Sequence, residues 1–563
     1  MTDDRRWLAS YDPGVRSEIE VPDIPHTEVA ERTFRELPDV AAWHFLGATG
    51  TFGDLDRDSR RFARYLTDAG CGPGEVVAIC LPNIPEYLIA HLGGLRAGCA
   101  VAGLSPLLSA PELAEQLSDC GARVLVTLDA ILAHRLRTID QPFPALKHIV
   151  AAGITDSLPA YKRILARLLK KVPTGPVGPM DGVTVRRMRD VLRSTPPDLP
   201  AVTIDPDAVC LIQYTGGTTG LPKGVEITHR NIVSQMISIE EWIGLRRGEE
   251  VFCSAFPFFH AAGLIMYLTA VATGTTQVIF PDPRSSAHIC REIARYRPTG
   301  MANVPSLYQI LQDNPAFATL DHSRCRVFVS GAAPFPEDSI RALEAVVGEG
   351  KVLELYGMTE TSPILCANPM GRKKVGTVGI PLQSAQVRIM DLETGTIEQP
   401  VDTPGEIIAR GPQIMRGYLG KPEETANVLR EVDGEIWLFT GDVGRMDAEG
   451  YITLVDRAKD MLIVGGYKVF SREVEEVLCE HPAVELCAVV GFPNPKRPGS
   501  EHVRLVVQLS AAHRGRAETD LREELLGHCR DTLAPYKVPR QIDFLDALPL
   551  TAVGKIDKVA LRG

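Results

Sequence analysis

Between residues 56 and 128 the chain keeps switching between two hydrophobic periods, and this alternation constrains its fold more than any other feature. DRDSRRFARYLTDAG places Phe62, Leu66 and Ala69 near helical spacing and stops at Gly70. EVVAICLP then reads as a buried strand, EYLIAHLGGLRAG as a helix, and CAVAGL as a strand. SAPELAEQLSDCG is again helical and ARVLVTL again a strand. Helices and buried strands taking turns in this way predict a parallel α/β sheet.

The pattern resumes from about residue 200 to 455, with strands such as VCLIQY, RVFVSG and GEIIAR. The tail after about 460 has its own smaller pattern. SREVEEVLCEHP reads as a short helix with Ser471 as N-cap and acids in its first turn. AVELCAVVGF and VRLVVQL are strands, and ETDLREELLGHCRDTL is a helix. That is an α+β module of roughly 100 residues, enough for a small core of its own. Between the two regions of alternation lies YKRILARLLKKV, where Lys162, Arg163, Arg167, Lys170 and Lys171 surround Ile164, Leu165, Leu168 and Leu169. A solvated surface helix explains this pattern; contact with an anionic lipid surface is the sharper reading.

Composition removes several classes. Hydrophobic residues are 45% and charged residues 23% of the 563, ordinary globular values. A net charge of −11 argues against a nucleic-acid partner. The 12 cysteines form no Cys-x-x-Cys pair, which argues against a zinc ribbon, a redox dithiol or a disulfide framework. The opening MTDDRRWLASYDPGVRSEIE has no apolar core, so a cytoplasmic setting is expected. From Val251 to Pro281 no residue except His260 can carry charge. Pro257, Gly263 and Gly274 are expected to break this run into buried strand, helix and strand rather than a membrane span.

Four short strings carry chemistry. Tyr214–Gly224, YTGGTTGLPKG, follows a strand and precedes the helix HRNIVSQMISIEEWIGL. A Gly/Thr-rich loop with one lysine, between strand and helix, can wrap phosphates with backbone N–H groups, hydroxyls and charge. It is not a Walker loop, because Gly224 follows Lys223 where that loop needs Ser or Thr. Leu355–Pro363, LYGMTETSP, sets Glu360 among the hydroxyls of Thr359, Thr361 and Ser362, beside Tyr356. A carboxylate for Mg²⁺, hydroxyls for phosphate and a ring for a base suit a nucleotide. Phe439–Asp442, FTGD, offers a carboxylate that can accept two ribose hydroxyls; its bland reading is an Asx turn. PLTAVGKIDK, residues 549–558, holds Lys555 close to the end.

In this order and spacing the four strings resemble the adenylate-forming acyl-CoA synthetase superfamily, from about residue 40 to Lys555. The opening RRWLASYDPGVRSEIE, the string QYTGGTTGLPKGVEITHRN and the basic insert at 160–171 look most like its bacterial fatty-acyl-CoA ligase branch. The resemblance implies an α/β fold: a large N-terminal region of stacked sheets, 1–457, and a small mobile α+β lid, 458–563, hinged near Lys459. It implies ATP, Mg²⁺ and coenzyme A as cosubstrates and cofactor. A carboxylate would attack the α-phosphate to give an acyl-adenylate and pyrophosphate; the lid would then swing and the coenzyme A thiol would displace AMP. By the same resemblance Thr215, Gly216, Gly217, Thr218, Thr219, Gly220 and Lys223 would hold the β- and γ-phosphates. Gly331, Ala332 and Ala333 would lie beside adenine, with Tyr356 stacked on it next to Gly357. Thr359 would touch the α-phosphate, Glu360 would hold Mg²⁺, and Asp442 would bind ribose with Arg457 close by. Lys555 would bridge carboxylate and α-phosphate, and Gly465, Gly466, Tyr467 and Lys468 would approach the thiol. Leu550, and Gly216 after Thr215, depart from the commonest pattern without removing a charged group.

For the acyl group, FPFFHAAGLIMY resembles the family's wall segment, with His260 near the carboxylate and small residues at Ala261, Ala262 and Gly263. NVPSLYQIL, residues 303–311, would form another wall. With no acid or arginine in either segment, an apolar acid is expected. A medium- or long-chain fatty acid fits, and so does an aryl or alicyclic acid. A ligase that loads a carrier protein and a non-catalytic nucleotide sensor stay open as alternatives.

Overall fold

The computed structural model describes residues 5–141, 143–168, 172–215, 222–464, 467–495, 500–550 and 556–562. Several of its helices begin at side-chain caps. Thr51 and Ser109 each close a capping box with an acid three residues on, Asp54 and Glu112, and start the helices Phe52–Asp68 and Ala110–Asp119. The strand Val76–Cys80 pairs in parallel with Ala100–Gly103 and with Val124–Leu128. The predicted alternation thus forms the centre of a sheet that has eight strands among the described residues.

A second sheet, of nine described strands, carries the uncharged run. Val251–Ser254, Thr276–Ile279, Gly300–Asn303, Val327–Ser330 and Val352–Tyr356 run parallel to one another. The run is strand, helix Ala261–Thr273 and strand, as expected. No helix of the described residues is long and apolar enough to cross a membrane. Gly274 ends the helix at φ +71°, but Gly263 does not break it. A Cβ at Gly263 would lie 2.1 Å from the Pro257 carbonyl oxygen, so glycine is what lets the first turn close onto Pro257. Two buried asparagines pin this segment. Asn83 donates to the Phe256 carbonyl and accepts from the Phe258 N–H, each at 2.8 Å, and Asn303 accepts from Ala255 at 3.0 Å.

The alternation expected to continue to residue 455 stops earlier. Gln386–Met390, Gly405–Arg410, Leu429–Val432, Glu435–Met446 and Ile452–Arg457 form an antiparallel sheet. Turn chemistry decides this: Asp433 (φ +55°) and Gly434 (φ +83°) make a two-residue hairpin, which leaves no length for a crossover helix.

Beyond Leu462 the described residues have a separate apolar core, with Leu462, Val474, Leu478, Val489, Leu505 and Leu525 among its members. Here Val484–Pro493 and Glu501–Leu509 pair antiparallel, and Gln541–Leu545 adds in parallel. Ser471 is not the N-cap of its helix. Phe470 holds that position, and Ser471 is the first helical residue. Its N–H and hydroxyl are both spent on the buried Asp456 carboxylate. The Ser471 hydroxyl also accepts from Lys558 at 2.7 Å, and Lys558 pairs with Glu475 at 2.7 Å.

Candidate active site

The phosphate-type string joins two strands rather than a strand and a helix. Val209–Thr215 pairs antiparallel with Lys223–Thr228, and Thr215 faces Lys223 across the last rung. Gly216, Gly217, Thr218, Thr219 and Gly220 lie outside the described residues. The helix His229–Ile243 begins only after the second strand. Its first turn is closed by its own capping box, in which the Thr228 hydroxyl accepts from Asn231 N–H at 3.2 Å and Asn231 accepts in return at 2.9 Å. The helix-terminus contribution expected from the sequence is therefore absent, and charge at this end comes from Lys223.

Lys223 has two partners that sequence reading did not find. Its Nζ pairs with Glu424 and lies 4.9 Å from the ring centre of Tyr418. Tyr418 is placed by a short strand, Gly417–Tyr418, that pairs with Lys223–Thr228. Its hydroxyl donates to Glu360 Oε1 at 2.8 Å. Lysine, phenol and carboxylate thus form one linked series.

Glu360 sits in a single 3₁₀ turn, Thr359–Thr361, after the strand Val352–Tyr356. It is buried, and burial pushes its carboxyl above the ordinary glutamate range against the pull of the Tyr418 hydroxyl and of Arg457. The three hydroxyls around it do not serve alike. Thr361 is fully buried, accepting from Met358 N–H at 3.0 Å and donating back within the same turn. Ser362 Oγ is buried without a partner among the described residues. Of the three, only the Thr361 hydroxyl is consumed by the turn's own hydrogen bonds, which leaves Thr359 and the buried Ser362.

Asp442 is a strand residue, not an Asx-turn residue. It lies in Glu435–Met446 opposite Arg457, whose Nε is 3.0 Å from Oδ1. Tyr356 donates its hydroxyl to the other oxygen at 2.8 Å. The Tyr356 ring is buried among Leu365, Ala385, Ile407 and Ile452. Asp442 thereby holds both Tyr356 and Arg457, and the charge of Arg457 is felt in turn at Glu360.

Strand polarity gathers these pieces. The carboxyl ends of the parallel strands of the second sheet lead into Ala255–His260, Gly331–Ala333 and Gly357–Glu360, the edge where open α/β sheets bind ligands. Ala332 adopts φ +66°, and a Cβ at Gly331 would lie 2.5 Å from Leu355 Cδ1. His260 is the N-cap of the helix Ala261–Thr273, its Nδ1 accepting from Ala262 N–H at 3.3 Å.

A narrow gap of mixed lining lies between the helices His229–Ile243 and Ala261–Thr273 and the strands Val251–Ser254 and Thr276–Ile279. Ile239, Ile243, Phe252, Met266, Ala270 and Gln277 are among the residues that line it, and about 10 Å³ of it is open. That is room for about one water, so a larger occupant must displace side chains. No residue of 303–311 lines this gap. Tyr308, from that segment, is buried in a separate cluster with Phe328 and Phe335. The facing wall is instead the helix His229–Ile243.

Lys459 is exposed and follows Arg457, whose carbonyl accepts from both Asp460 and Met461. Tyr467 is exposed and stacks on Tyr536 with centroids 4.5 Å apart; Lys468 reaches Glu393 at 3.7 Å. Gly465, Gly466 and Lys555 lie outside the described residues.

Comparison with known proteins finds relatives over nearly the whole chain. A family model described as AMP-binding enzyme matches residues 30–419, and one described as AMP-binding enzyme C-terminal domain matches 473–555. A long-chain-fatty-acid–CoA ligase of Bacillus subtilis (strain 168) is 36% identical over 99% of this chain and 97% of its own. A feruloyl-CoA synthase of an Amycolatopsis species is 34% identical over 94% and 97%. The solved anthranilate CoA ligase AuaEII, in complex with anthranoyl-AMP, superposes with a TM-score of 0.82 at 26% identity, covering 97% of each chain.

Proposed function

From the premise that this chain belongs to the AMP-binding enzyme family, we propose that it is an ATP-dependent acid–thiol ligase. It joins a medium- or long-chain fatty acid to coenzyme A through an acyl-adenylate. The observation that carries this reading is the connected set Lys223–Tyr418–Glu360 and Tyr356–Asp442–Arg457, gathered at the carboxyl edge of a parallel sheet.

In the first half-reaction a carboxylate oxygen bonds to the α-phosphorus while the bond to pyrophosphate breaks. Thr215 and Lys223, with 216–220, hold the β- and γ-phosphates, and Lys223 exchanges Glu424 for phosphate oxygens. Asp442 takes the ribose hydroxyls and Tyr356 flanks the base beside Gly331–Ala333 and Gly357. Thr359 donates to the α-phosphate, and His260 stands at the carboxylate. Glu360 suits Mg²⁺: this ion takes one or two carboxylates where substrate phosphates and water supply the rest, and Glu360 offers a buried carboxylate with one oxygen held by the Tyr418 phenol. The ion would neutralise the charge that develops on the phosphates. In the second half-reaction the thiol sulfur bonds to the acyl carbon, the bond to AMP breaks and the thiol proton is lost, with Tyr467 and Lys468 on the thiol side. The lid, 458–563, turns about Lys459 between the two steps; its separate core supports treating it as one body.

The test is carboxylate-dependent ATP–pyrophosphate exchange without coenzyme A over fatty, aryl and alicyclic acids. Exchange peaks on fatty acids, and Met266→Trp, which fills the gap, lowers kcat/KM for the longest of them about tenfold or more while sparing short ones. A maximum on aryl acids would favour the activity named for the Amycolatopsis relative. No exchange with any acid, in folded protein that binds ATP, would overturn the ligase and favour the sensor.

The helix Ala160–Leu168 supports peripheral membrane contact as part of the same reading. Tyr161, Ile164 and Leu165 stand 67%, 58% and 54% exposed beside Lys162 and Arg163. Three bare apolar side chains next to basic ones fit an anionic lipid surface. Ile164→Asp with Leu165→Asp lowers co-sedimentation with phosphatidylglycerol vesicles at least tenfold and leaves exchange on a short, water-soluble acid unchanged. Unaltered sedimentation would end this reading.

A further inference from the structure

The mechanism leaves unused a buried group of metal-ligating side chains at the opposite end of the strand that leads to the phosphate string. His26 opens the helix His26–Glu36, His229 opens the helix His229–Ile243, and Cys210 lies near the start of Val209–Thr215. They are 1%, 2% and 0% exposed. One ligand atom from each lies within 4.8 Å of the other two, the only such group of three among the described residues. The two imidazoles meet Nδ1 to Nδ1 at 2.8 Å. We propose that His26, Cys210 and His229 form a site for a single zinc ion, separate from the nucleotide site.

The donor set is the first reason. Two imidazole nitrogens and one thiol sulfur are the ligands of zinc rather than of magnesium or calcium. The second is the freedom of the His26 ring: its Nδ1 meets His229 Nδ1 and its Nε2 is buried without a partner among the described residues, so the ring turns toward an ion at the loss of one hydrogen bond. The geometry is close to what zinc needs. Tetrahedral Zn–N bonds of about 2.0–2.1 Å set two nitrogens about 3.3 Å apart, so the pair opens by about half an ångström. The Cys210 sulfur leaves the Ile227 carbonyl, now 3.4 Å away, and moves inward. On binding, the thiol proton passes to solvent, and the imidazole that carries hydrogen on Nδ1 shifts it to Nε2. The site ties the N-terminal helix to the sheet and stays roughly 17 Å along the strand from Thr215, at 3.3–3.4 Å per residue.

The full chain, freed of metal with a chelator, is titrated with Co²⁺. One equivalent produces a thiolate-to-cobalt charge-transfer band and the visible bands of a tetrahedral site, and Zn²⁺ bleaches both. Cys210→Ser removes the charge-transfer band, and His26→Gln weakens Co²⁺ binding at least tenfold. Cys479→Ser, which deletes the exposed thiol, leaves the spectrum intact. Should Cys210→Ser fail to fold, the His26→Gln titration decides alone. A folded chain with no charge-transfer band, a band that survives Cys210→Ser, or one lost in Cys479→Ser would overturn the proposal. None of these outcomes bears on the adenylation assay.

Discussion

Lys555→Ala lowers carboxylate-dependent ATP–pyrophosphate exchange by about 10²-fold or more, while thioester formation from preformed acyl-adenylate falls less than tenfold. Two anions, a carboxylate and a phosphate, must meet at one phosphorus. A cation held there in a water-poor site is worth roughly 3 kcal/mol of transition-state stabilisation, or about 10²-fold in rate. The residues after Lys555 are well anchored. Asp557 N–H donates to the Pro549 carbonyl at 2.8 Å, and Lys558 is clamped by Glu475 and Ser471. The substitution therefore removes a charge without releasing the end of the chain. The two half-reactions, measured separately with purified adenylate, check this. Equal losses in both would remove Lys555 from a role confined to the first step and, with it, the argument for a lid that turns.

Glu360→Gln lowers exchange by about 10²–10³-fold and raises the Mg²⁺ concentration needed for half-maximal rate. Glutamine keeps an oxygen to accept from Tyr418, so the turn survives and the loss falls on the metal. The pH profile separates this role from a structural one. Burial places the Glu360 carboxyl above the ordinary range, and only the carboxylate binds the ion. Activity is therefore lost, as pH falls, at a higher pH than an exposed glutamate would set. Tyr418→Phe deletes the hydroxyl that stabilises the carboxylate and moves this acid limb to still higher pH. An acid limb that stays in place in Tyr418→Phe would show that Glu360 does not govern it.

Much of this site was legible one string at a time. Glu360, Asp442 and Lys223 stand out because charged residues among Gly, Thr and Ser are rare where buried strands end. Their supports were not legible. Tyr418 and Glu424 lie in RGYLGKPEET, a stretch that reads as an ordinary turn. They reach Lys223 and Glu360 because a two-residue strand pairs with Lys223–Thr228, a contact without local periodicity. The second strand of the phosphate hairpin was missed for a related reason: KGVEIT is short and half polar, and its pairing partner lies across the Gly/Thr loop. Thr361 looked equal to Thr359 and Ser362 as a phosphate ligand because hydroxyl residues carry no mark of which way they point.

Sequence alone determined the parallel α/β core and the order of the phosphate- and nucleotide-type strings, since these depend on residue type and local period; the adenylation chemistry came from the family resemblance of those strings. Tertiary structure decided which hydroxyls remain for a ligand, which phenol holds Glu360, and that His229–Ile243 rather than 303–311 walls the narrow gap. It also brought His26, Cys210 and His229 together. Each of these rests on residues distant in sequence meeting at a sheet edge or a helix crossing, and no hydrophobic period encodes such a meeting.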